Sequence, residues 1–201
     1  MPSQAIPSRA SFATVLLLVP TAALAHTGAG AVHGFTHGFV HPLGGLDHIL
    51  AMLTVGIFAA QLGGRALWLV PASFVLVMAA AGTAGMGGMA VPFVEIGIAL
   101  SVVVLGAIVA LKIEVPVALA MGIVGFFAIF HGHAHGAEMP PDGGAAAYGL
   151  GFMAATALLH VAGIGIGLVI GRIGQRGGAA ALRVAGCLVA LAGVGLLAGA
   201  A

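Results

Sequence analysis

Only one cysteine, Cys187, stands among the 201 residues. That excludes an internal disulfide and any multi-cysteine metal centre. Charge is almost as scarce, with six basic and five acidic side chains giving a formal net charge of +1. So thin a basic set leaves no nucleic-acid footprint. Signatures of soluble chemistry are missing as well. The chain has no GxxxxGK phosphate loop, and it has no HExxH pair of the kind that marks a zinc hydrolase.

Apolar surface is what the chain has in abundance. It is 61% hydrophobic, and its mean hydropathy is +1.22. The runs are too long and too numerous for one soluble core. They predict an all-α polytopic membrane bundle. Residues 1–25 read as a secretory signal peptide. Arg9 supplies the basic start, residues 12–24 form a short apolar stretch broken by Pro20, and Ala23-Leu24-Ala25 has the A-x-A form of a cleavage site. The mature chain, 26–201, then forms one transmembrane domain. Six spans are expected near 43–62, 66–84, 91–111, 115–131, 147–171 and 181–200.

The basic residues orient this topology. Arg65, Lys112 and the group Arg172, Arg176 and Arg183 fall in the first, third and fifth loops, and the alternate loops contain no Lys or Arg. The positive-inside rule therefore predicts a bacterial inner-membrane protein with its mature N-terminus in the periplasm. The signal peptide independently implies the same orientation.

Polar side chains inside apolar segments are costly and mark functional positions by default. The segment HPLGGLDH carries His41, Asp47 and His48 into the first span, and FHGHAHGAE carries His131, His133, His135 and Glu138 at the end of the fourth. Glu95 lies near the outer end of the third span. His160 falls near mid-membrane, about 18 Å along the fifth span from Tyr148 at a rise of about 1.5 Å per residue. His26, His33 and His37 precede the first span. Together these residues form a gradient of imidazoles and carboxylates running inward from the outer surface.

If the chain is helical from His33 to His48, spacings of four, four and seven put His33, His37, His41 and His48 on one face. Pro42 favours a helix start or a kink there instead. Asp47 points away from these rings, where it can steady a histidine on a neighbouring helix as outer-sphere carboxylates do. His131 and His135 share a face if the helix continues, although the glycines around them allow an ordered loop equally well. Neutral imidazole suits nickel, zinc, copper and iron. Each residue also has a structural reading: His160 as an interhelical hydrogen-bonding partner, Glu95 as an interfacial acid, and Met86 and Met89 as filler. Gly163, Gly167 and Gly171 recur every four residues, as do Gly195 and Gly199. This small-residue spacing serves either the bundle or self-association into a homo-oligomer.

The two motifs resemble those of the HupE/UreJ family of nickel permeases, which accompany hydrogenase and urease systems. HPLGGLDH fits His-x5-Asp-His, and FHGHAHGAE fits Phe-His-Gly-x-Ala-His-Gly-x-Glu. VEIGIALSVVVLG and GFMAATALLHVAGIGIG are similar to the family's third and fifth spans. The resemblance implies a six-helix protein that admits Ni2+, or a related ion such as Co2+ or Zn2+, from the periplasm by facilitated diffusion. It implies His41, Asp47, His48, His131, His135 and Glu138 as the functional positions, with His133 at a variable one. The ion is cargo, and no resident cofactor or catalytic residue is expected. A membrane-bound metal-binding accessory that moves nothing is the alternative, and an intramembrane metallohydrolase is a weaker one.

Overall fold

The computed structural model describes residues 34–137, 139, 144–172 and 175–200. The proposed signal peptide, with His26, His33, Glu138 and Asp142, lies outside them. The described residues form seven α-helices and no strand. These are α1 (Gly34–Val40), α2 (Leu46–Leu62), α3 (Ala66–Met86), α4 (Val94–Leu111), α5 (Val117–Ala137), α6 (Ala145–Arg172) and α7 (Gln175–Ala200), with a 3-10 turn over His41–Leu43 between α1 and α2.

Five helices are individually long and apolar enough to cross a membrane, and α1 with α2 makes a sixth if that bent pair is one span. The distribution of polarity fits lipid as the surrounding solvent. Leu76, Leu119, Phe126, Leu158, Val161 and Leu191 face outward, whereas His48, Ser101, His131, Thr156 and His160 are buried. A bundle in hydrocarbon gains nothing by hiding its leucines, but it must pair its polar groups internally. The chain is a multi-pass membrane protein.

Three expected boundaries are corrected, the simplest being the sixth span, whose helix begins at Gln175 rather than 181. The first span does not run straight from residue 43. Pro42 sits in the first turn of the 3-10 segment, α2 begins only at Leu46, and the two halves meet at 82°. His41 and His48 therefore do not share one helical face. The fourth span does not end at 131 but continues to Ala137, so FHGHAHGA is helix rather than loop. The reason is close backbone contact. A Cβ on Gly132 would strike the Met78 carbonyl oxygen, and one on Gly136 would strike that of Gly82. Glycine lowers helix propensity, but here it lets α5 lie directly against α3, and tertiary contact outweighs propensity.

The same device joins the other helices. A Cβ on Gly56 of α2 would strike the His160 carbonyl oxygen of α6, and one on Gly163 would strike that of Leu53. On Gly167, a Cβ would come 2.7 Å from the Ala60 Cβ. The 163/167 repeat thus serves the bundle. Gly171, Gly195 and Gly199 face open space.

Candidate metal site

The bend at Pro42 turns His41 inward, and the continuation of α5 puts His131 and His135 one turn apart on the face opposite α2. Two imidazole pairs result. His41 Nε2 lies 3.1 Å from His135 Nδ1. His48 Nδ1 lies 3.3 Å from His131 Nδ1. The pairs adjoin, since the His48 and His135 ring centroids are 5.4 Å apart. His37 extends the series outward, its ring 6.4 Å from that of His41. The order is therefore His37, His41, His135, His48, His131, running from α1 into the buried centre.

Hydroxyl groups complete the polar contacts. Ser101 Oγ of α4 lies 2.9 Å from His131 Nε2, and Thr156 Oγ1 of α6 lies 3.3 Å from His48 Nε2. The Thr156 hydroxyl also donates to Met78 Sδ at 3.9 Å. Both nitrogens of each inner ring thus have partners, which is what keeps a buried imidazole tolerable. Aromatic rings enclose the series. Phe152 stands 4.4 Å from His135 and 5.0 Å from His48, and Tyr148 stands 5.8 Å from His41, centroid to centroid. A cavity of about 580 Å³ opens beside His135, bordered by Met78, Met86, Tyr148, Phe152 and Met153.

The nitrogen separations have a chemical meaning. Two imidazoles binding one ion at about 2.1 Å each lie about 3.0 Å apart at a right angle and about 3.4 Å apart at the tetrahedral angle. The observed 3.1 and 3.3 Å fall between these limits. Among the described residues, no three His, Cys, Asp or Glu side chains converge on one point. Each station therefore offers two imidazoles from the described residues, and an ion held there has room for water or a further ligand. Such a site binds and releases. It is not the closed four-ligand cage of a structural metal.

The remaining expected residues are placed unequally. The Asp47 carboxylate accepts the backbone N–H of His48 at 2.8 Å. It sits in the first turn of α2, where negative charge is favoured. It thus holds the backbone beside a candidate ligand, and its charge also acts on the His131 ring of α5. His133 turns away from the other rings, and its Nε2–H donates to the Met89 carbonyl at 2.6 Å. Glu95 is exposed in the first turn of α4, outside the buried cluster. His160 is 1% exposed, and neither ring nitrogen has a hydrogen-bonding partner, so its reading as an interhelical bond donor is not borne out. The sequence did not single out Ser101, Thr156 or the aromatic enclosure. The two hydroxyls had a signal, as polar groups within apolar runs.

A model of the HupE/UreJ protein family matches residues 14–196. The chain belongs to the HupE/UreJ family. It is also 50% identical over 183 residues to Protein HupE of Rhizobium leguminosarum bv. viciae, an alignment covering 91% of this chain and 94% of that one. No solved structure matches. The HupE/UreJ resemblance read from two short motifs therefore extends over nearly the whole sequence.

Proposed function

We propose that this protein is an inner-membrane permease that takes Ni2+, or a related divalent ion, from the periplasm by facilitated diffusion and supplies hydrogenase or urease metallocentres. One observation carries this reading: two successive two-imidazole stations lead from the α1 end into the bundle centre. Conduction requires binding strong enough to admit an ion and weak and multiple enough to let it go. Paired imidazoles in succession suit that requirement. Membership of the HupE/UreJ family supports it further. The His37 end faces the periplasm in this reading, in keeping with the basic loops at the opposite end. Glu138 of the second motif would help capture the hydrated ion, and His41 with His135 would strip part of its water.

The test is Ni2+ influx into proteoliposomes with competing metals, with and without a proton gradient. Saturable influx that is lost in His48→Ala and Asp47→Ala is expected. Unchanged influx in both variants sinks the path. A second reading has an observation of its own. At and below His160, α2 and α6 meet backbone to backbone through Gly56 and Gly163, which narrows any way onward. A metal-holding accessory protein would show saturable binding with no flux, and the same liposomes distinguish the two.

A further inference from the structure

The histidine series stops one ring short of the deepest histidine. Phe74 of α3 is fully buried, and its centroid lies 5.7 Å from that of His131 and 5.3 Å from that of His160. An apolar ring thus contacts both the last two-imidazole station and an imidazole whose nitrogens have no hydrogen-bonding partner among the described residues. A buried polar ring without a partner is expensive. Its retention at this place needs a reason, and a ligand that arrives only intermittently provides one.

Helix α3 is locally weakened at this point. Pro71 lies inside the helix, three residues before Phe74, and proline cannot donate to the carbonyl one turn back, that of Leu67. The Ser73 hydroxyl donates to the Val70 carbonyl at 2.8 Å, a bond that also bends helices. The turn leading to Phe74 therefore lacks one of its backbone hydrogen bonds, a common origin of helix bending. We infer that Phe74 is an apolar gate between the His48/His131 station and His160, closed in this structure. This inference rests on the permease reading. It adds that an ion or water reaches His160 only when the Phe74 ring swings aside, as at hydrophobic constrictions in channels.

The test reads access rather than transport. In a Cys187→Ala background, the His160→Cys thiol is challenged in whole cells with a small membrane-impermeant thiol reagent. A His41→Cys thiol serves as the control for the open end. Where that control reacts only in inverted vesicles, the comparison is made there. With Phe74 present, the His160→Cys thiol should react slowly. Adding Phe74→Ala should speed it roughly tenfold, the factor that about 1.4 kcal/mol of barrier gives. Phe74→Leu, which keeps most of the bulk and protects the fold, should leave it slow. Equal reactivity with and without the Phe74 ring, whether fast or slow, overturns the gate. Loss of the His41→Cys reaction in the Phe74→Ala protein marks misfolding, and the decision then passes to Phe74→Val, which removes less bulk than Ala but more than Leu, and where labelling as slow as with Phe74 overturns the gate. Absence of Ni2+ flux in wild-type liposomes would reject the permease reading, while the labelling comparison would still decide whether Phe74 seals the step.

Discussion

Replacing His48 by Ala removes the ring that connects the two stations. Its nitrogens lie 3.3 Å from His131 and 3.3 Å from Thr156, and its centroid lies 5.4 Å from that of His135. For folding, the change leaves one His131 nitrogen without its partner and a void the size of an imidazole. An orphaned buried group costs about 1–3 kcal/mol, against a total stability on the order of 5–15 kcal/mol, so the bundle should survive. For transport the loss is larger. Removing a group that only orients a ligand already costs about 10–100-fold in metal affinity, and His48 is one of the two imidazoles that the described residues bring to its station. We expect Ni2+ influx in proteoliposomes to fall by about 100-fold or more. His48→Gln, which keeps a hydrogen-bonding side chain but no imidazole, should refold better and remain as inactive. Influx in the folded Ala variant within about threefold of wild type, well short of even an orienting group's contribution, would refute the station.

Asp47→Asn keeps an oxygen for the His48 N–H but removes the charge. If Asp47 acts through the backbone alone, influx should fall no more than about tenfold, whereas a loss near that of His48→Ala would make it a ligand. Gly56→Ala forces a methyl group onto the His160 carbonyl; it should lower resistance to denaturant in detergent by about 1–3 kcal/mol, and Gly195→Ala, which faces open space, should not. Acidifying the periplasmic side should suppress uptake, because a protonated imidazole has no lone pair for metal; initial-rate influx across a pH series checks this, and a flat profile counts against imidazole ligation. Thr156→Val should cut influx less than His48→Ala, since it removes only a contact to the ring, and an equal loss would move Thr156 into the path.

Much of the architecture was legible because lipid imposes simple rules. Long apolar runs and glycine breaks place helices α2 to α7 within about three residues at every boundary except the end of α5 and the start of α7. The end of α5 and the bend at Pro42 share one cause. Sequence treats Gly and His as loop-formers around 132–136, yet the observed helix depends on what lies across from those glycines, namely the backbone of Met78 and Gly82. No local pattern reports the opposite wall. The same holds for His41. Pro42 signals a break, but the 82° turn that carries His41 toward His135 depends on α1 lying against the start of α6, where Gly38 touches the Tyr148 carbonyl. His41, His48, His131 and His135 were identifiable as candidates. Their pairing, 41 with 135 and 48 with 131, crosses between motifs and could not be read within either one.

That crossing explains why glycine contacts and histidine chemistry belong to one design. The two stations draw their nitrogens from different segments: His41 from the turn before α2, His48 from α2, and His131 and His135 from α5. An ion accepts nitrogens only within a few tenths of an ångström of its preferred bond length of about 2.1 Å. Helices separated by ordinary side chains sit 8–10 Å apart, with scatter set by whatever intervenes. Backbone-to-backbone contact removes that scatter. Gly132 and Gly136 fix α5 on α3, and Gly56 and Gly163 fix α2 on α6, while Thr156 and Ser101 tie the inner rings to α6 and α4. The glycines flanking the histidines in FHGHAHGAE therefore contribute to the candidate site by seating α5, which carries His131 and His135, directly on α3.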